Sequence, residues 1–96
     1  MKVGFKEAKQ KVIAALMSGT YSHEARGSID VKNKLHTGEV SAQDVIDILK
    51  RCRGTDHSCS PHHFDGSIDV HVIESGSWYV KFYFLDPDTV FISVHQ

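Results

Sequence analysis

Between Ser67 and Gln96, apolar residues recur at every second position in three consecutive runs, a period that demands β-strands with a buried face. In Ser67–Glu74, Ile68, Val70 and Val72 alternate with Asp69, His71 and Ile73. In Trp78–Leu85, the apolar set Trp78, Val80, Phe82 and Phe84 leaves Tyr79, Lys81 and Tyr83 opposite. In Val90–Gln96, Val90, Ile92 and Val94 leave Phe91, Ser93 and His95. The alternation predicts a sheet that buries one face and presents His71, Tyr79, Lys81 and His95 on the other.

The connections set how these strands meet. A three-residue loop at Ser75, Gly76 and Ser77 puts Glu74 opposite Trp78 and His71 opposite Lys81. From Leu85 to Thr89, Pro87 fixes φ and the flanking Asp86 and Asp88 favour a turn. Pairing Phe84 with Val90 across that turn sets Tyr79 opposite His95 and Lys81 beside Ser93. Lys81 then lies on the central strand, with the other groups on its neighbours.

Imidazole, phenol and ammonium groups gathered in this way suit RNA cleavage without a metal. Attack by the 2′-hydroxyl needs a base for its proton, an acid for the departing 5′-oxygen and a cation for the phosphorane charge. His95 or His71 would supply base and acid, Lys81 the cation, and Tyr79 a phosphate contact or a stacking platform, with His57 completing the site from the preceding loop. A solvated sheet face shows the same alternation. Two other functions therefore stay open: a non-catalytic module that binds a protein through its polar sheet or free edge strand, and a His/Cys metal-binding protein.

A chain of 96 residues makes one domain over residues 1–96 and leaves no room for a second. With 41% hydrophobic and 24% charged residues, it is not a disordered composition. No apolar run approaches the roughly 20 residues that span a bilayer, and Met1 to Lys11 lacks a signal-peptide core, so a cytoplasmic protein without a membrane contact is expected. A formal net charge of −1 gives no basic excess, so any RNA contact must be local. Seven histidines add positive charge below about pH 6.5. Cys52 and Cys59 lack CxxC spacing and read as free thiols.

Phe5, Ala8, Val12, Ala15 and Leu16 recur at three- and four-residue intervals and predict an amphipathic helix, with Gly19 as its stop. Tyr21 to Gly27 reads as a turn or short helical piece, and Ser28 can cap a second short helix through about Leu35, broken at Thr37 and Gly38. Ser41 and Asp44 resemble a capping box with Asp in place of Glu, opening a third helix through Val45, Ile46, Ile48, Leu49 and Cys52 that ends before Gly54. The order predicts an α+β fold: three N-terminal helices (residues 1–54) packed on one face of a C-terminal antiparallel sheet of three or more strands (residues 67–96), joined by a loop (residues 55–66) with space for a short edge strand. Trp78, Val80, Phe82 and Phe84 should meet Val12, Leu16, Val45 and Leu49 in the core.

That loop holds His57, Cys59, His62 and His63, four possible ligands within seven residues. Structural zinc sites pair CxxC with HxxxH or a second CxxC, and neither spacing occurs, so no metal and no other cofactor is expected. A loop closing over the sheet face would deliver His57 or His62 to chemistry instead. Arg26 could hold phosphate through its planar fork, and Arg26, His62 and Tyr83 are the expected RNA contacts around the catalytic group. His36 falls at a helix end, where an imidazolium favours the dipole.

From His57 onward the chain resembles the MqsR-type toxins of bacterial toxin–antitoxin pairs. Trp78-Tyr79-Val80-Lys81-Phe82 is similar to that family's Tyr-Val-Lys-Phe strand, Ser93-Val94-His95 stands where the family has Ser-Phe-Lys, Asp69-Val70-His71 is similar to its Asp-Val-Tyr, and His57-Ser58-Cys59 falls near its Lys-Ser-Met. The resemblance implies a RelE-like or barnase-like α+β endoribonuclease acting on RNA and held in check by an antitoxin protein. Carried over by position, the family's loop Lys becomes His57, its strand Tyr becomes Tyr79 and its C-terminal Lys becomes His95. Its strand Gln is replaced by Ile68, which removes a polar orienting group.

Overall fold

Phe5–Ser18 forms helix α1, because Ala8, Val12, Ala15 and Leu16 fall on one helical face and all four are buried. Gly19 closes it in the left-handed conformation, φ 77°, returning its N–H to the Ala15 carbonyl. The structure, a computed structural model, describes residues 4–23, 33–62, 66–85 and 88–96. After α1 come strand β1 (Tyr21–His23), a short helix α2 (Lys34–Thr37) and helix α3 (Ala42–Arg51). The capping box of α3 is closed, with Asp44 N–H donating to Ser41 Oγ at 3.1 Å and Ser41 N–H to Asp44 Oδ2 at 3.0 Å. A 3₁₀ turn (Gly54–Asp56) leads into β2 (His57–Pro61), followed by β3 (Asp69–Ser75), β4 (Trp78–Leu85) and β5 (Asp88–His95).

The strands make one sheet in the order β1-β5-β4-β3-β2. Every neighbouring pair is antiparallel except β1 with β5. The helices cover one face. Val12, Leu16, Val45 and Leu49 bury themselves there against Ile73, Val80, Phe82, Phe91 and Val94, with Trp78 and Phe84 half-buried at the margin. Each fully buried aliphatic or Phe side chain contributes about 1.5–3 kcal/mol, so this layer carries most of the fold's stability. Among the described residues no helix is long and apolar enough to cross a membrane.

The α+β class holds, but the helices do not all precede the sheet. β1 lies between α1 and α2 and forms one edge, paired in parallel with β5. A three-residue strand has too few positions to show a period, so alternation could not reveal it. The expected loop at residues 55–66 contains the 3₁₀ turn and β2, which is the opposite edge. Arg26, the helix start at Ser28 and the turn at Pro87 lie outside the described residues.

The first hairpin is one residue tighter than expected. Ser75 pairs with Trp78 and Glu74 with Tyr79, leaving a two-residue turn in which Gly76 has φ 61°. A glycine of positive φ at the first turn position, followed by a residue that is not, is the II′ arrangement, whose twist matches the flanking strands. A slip of one residue turns every side chain to the other face. His71 therefore pairs with Phe82 on the helix side, and Val72, instead of His71, faces Lys81.

The second hairpin keeps its expected register only in part. Tyr79 pairs with His95 and Lys81 with Ser93, as the alternation requires, but Phe82 then pairs with Phe91 across a β-bulge that skips Ile92. Beyond the bulge the parity of β5 reverses. Phe91 is fully buried in the helix-side core, and Val90 joins Val70, Tyr83 and Ile92 in a second apolar cluster on the opposite face.

Candidate functional site

The face turned away from the helices carries two chemically mixed rows. Ser58, Val72, Lys81 and Ser93 run across β2, β3, β4 and β5, and Glu74, Tyr79 and His95 form the row beside them. Tyr79 and His95 stack with ring centroids 5.0 Å apart and planes 21° from parallel. Burial, reinforced by the Glu74 carboxylate, raises the Tyr79 phenol above its ordinary range, so it remains a hydrogen-bond donor at neutral pH. His95 Nδ1 lies 3.0 Å from the Gln96 carbonyl. A carbonyl only accepts, so the neutral imidazole carries its proton on Nδ1 and its basic lone pair on Nε2. Gln96 Nε2 in turn donates to Ser77 Oγ at 3.2 Å, tying the chain end to the β3–β4 turn.

Of the four groups expected on this face, Tyr79, Lys81 and His95 are together and His71 is not. His71 is 1% exposed on the helix side, its ring against Phe82 at 5.6 Å and Phe84 at 5.4 Å. There it meets His57, with Nε2 of His57 3.0 Å from Nδ1 of His71. Burial lowers the affinity of both imidazoles for a proton. On His71 the neighbouring His57 and Lys11 lower it further, while Asp69 works the other way. His57 and His71 are thus removed from the open-face chemistry, and the physical cause is the one-residue tightening at Gly76.

His62 and Tyr83 do lie together, edge to face at 4.9 Å. They are 9% and 8% exposed, which leaves little ring surface for a nucleotide. Among the described residues no group of three or more His, Cys, Asp or Glu is arranged to hold a metal ion. The possible ligands of residues 57–62 are divided: His57 and Cys59 pair opposite Ile73 and His71 towards the helices, and His62 packs against Tyr83. His63 lies outside the described residues.

Sequence reasoning passed over Asn33. It is fully buried, and its Oδ1 accepts the His36 N–H at 3.1 Å, capping α2. Its Nδ2 is then the donor to His23 Nδ1 at 2.9 Å, which fixes the His23 proton on Nε2. Burial and then His36 depress the basicity of His23. A helix N-cap Asn two residues before Leu35 was the available signal. Glu74 was missed as the neighbour of Tyr79 because its pairing depends on the turn length.

The chain matches no protein-family model, and comparison with curated proteins and with solved structures finds none that is similar.

Proposed function

We propose that this protein is a metal-independent endoribonuclease, similar in kind to the MqsR-type toxins, that takes single-stranded RNA on its open sheet face. The observation that supports this reading is the juxtaposition of Tyr79, Lys81 and His95 on paired positions of two adjacent strands, outside the hydrophobic core. His95 Nε2 accepts the 2′-hydroxyl proton as the 2′-oxygen bonds to phosphorus. Lys81 balances the charge of the phosphorane. The bond from phosphorus to the 5′-oxygen then breaks, and the Tyr79 phenol protonates the leaving oxygen, giving a 2′,3′-cyclic phosphate and a 5′-hydroxyl. Ser58, exposed at the end of the Lys81 row, offers a hydroxyl to the backbone. A cytoplasmic antitoxin protein covering this face belongs to the same proposal.

The test is direct. Purified, folded and partner-free protein is incubated with mixed-sequence RNA in EDTA, and the fragment ends are analysed. Cyclic or 3′-phosphate ends with 5′-hydroxyls support the reading. Intact RNA contradicts it, and cleavage that requires added zinc assigns the chemistry to a metal.

A further inference from the structure

We propose that the His57–His71 imidazole pair is a proton-sensitive latch that fastens the edge strand β2 to the sheet and lets it go on acidification. β2 is an outer strand whose ladder partner is β3. Ser58, Ser60 and Pro61 are exposed, so they add little to its attachment. His57 and Cys59 both turn to the helix side, and His57 is bonded to His71 at 3.0 Å and tilted against Phe5 at 5.7 Å. At the far end His62 N–H donates to the Ile68 carbonyl at 2.8 Å.

The latch works because one proton bridges the two ring nitrogens. In the neutral pair, one nitrogen donates and the other accepts. A further proton places charge among Phe5, Phe82 and Phe84, where burial disfavours it. A second makes both facing nitrogens donors, and the bond cannot persist. The surrounding charges do not rescue it. α1 brings Lys11, which opposes imidazolium, and β3 brings Asp69, which favours it. Lys9 above Phe5, Asp56 of the 3₁₀ turn and the Cys52 thiol form a neighbouring cluster, and β4 supplies the rings of Phe82 and Phe84.

The closed pair binds fewer protons than two solvated imidazoles, so opening takes up protons and is favoured as pH falls below about 6.5. Uptake of one proton multiplies the opening equilibrium by about tenfold per pH unit, and uptake of two by about 100-fold. The latch is on the opposite side of the sheet from Tyr79 and His95 and does not depend on RNA cleavage.

Amide hydrogen exchange on the full chain tests it, with intrinsic rates corrected, from about pH 7.5 to about pH 5, alongside NMR titration of the imidazoles. The expected result is a loss of protection at the β2–β3 hydrogen bonds of at least about tenfold per pH unit below about 6.5, while the β4–β5 amides stay protected. In His71→Phe, or in His57→Phe should the buried variant not fold, one imidazole remains and β2 protection falls less steeply with pH than in the wild type. Wild-type protein that keeps β2 protected across this range, or loses β2 and β4–β5 protection together, overturns the proposal without either variant.

Discussion

Tyr79 and His95 stand directly opposite one another on β4 and β5, and the 21° angle between their rings makes the phenol a wall against which the imidazole is held. The Gln96 carbonyl holds the same imidazole from its Nδ1 side. Two contacts thus orient one lone pair, on the row next to Lys81.

Tyr79→Phe separates the stack from the hydroxyl. The ring remains, so the melting temperature and RNA affinity should change little, whereas kcat should fall by about 100-fold if the phenol is the acid. Single-turnover cleavage with saturating protein measures this. Unchanged kcat would show that another group protonates the leaving oxygen.

Val80 is fully buried in the helix-side core and Lys81 is not. Val80→Asp should therefore unfold the domain, because an unpaired carboxylate there costs several kcal/mol against a typical stability of about 5–15 kcal/mol. Lys81→Ala should stay folded. Thermal scans of the two variants make the comparison, and equal melting temperatures would contradict the assignment of faces.

Much of the helical layer was legible because its signals are local. Ala8, Val12, Ala15 and Leu16 on α1, and Ser41 with Asp44 before α3, specify their elements within a few residues, and the structure places them as expected. β4 was legible too, since Val80 and Phe82 on one side and Tyr79 and Lys81 on the other differ in chemistry. β3 was not. It carries Val70 and Val72 on one face and His71 and Ile73 on the other, so either face could be buried and the turn at Gly76 decides. In β5, Phe91 and Ile92 are both apolar, and the bulge between them changes parity without leaving a polar residue to mark it. The open-face group thus kept Tyr79, Lys81 and His95, which depend on β4 and the end of β5, and lost His57 and His71, which depend on β3.

Gly76 sits at φ 61°, with open space where a Cβ would stand. Gly76→Ala should cost about 1–2 kcal/mol through backbone strain alone. For a domain of this size that lowers the melting temperature by at least about 4 °C. A differential scan checks it, and no loss would mean that the hairpin turns differently.

Burial depresses the basicity of His23, His57 and His71. The unfolded chain then binds more protons than the folded one below the ordinary imidazole value, so stability is greatest above about pH 6.5 and is lost as pH falls through and below it. Urea midpoints measured at about pH 7.5 and about pH 5.5 should decrease in that order. A midpoint that rises on acidification would contradict the neutral imidazole pairs.

The most direct measurement compares RNA cleavage in EDTA by His95→Ala and His71→Phe beside the wild-type protein, each shown to be folded. If the open face is the catalytic surface, His95→Ala loses at least about 100-fold in rate, the scale of a missing general base, while His71→Phe cleaves at nearly the wild-type rate. Loss of activity in His71→Phe with full activity in His95→Ala would contradict the account and move the chemistry to the helix side of the sheet.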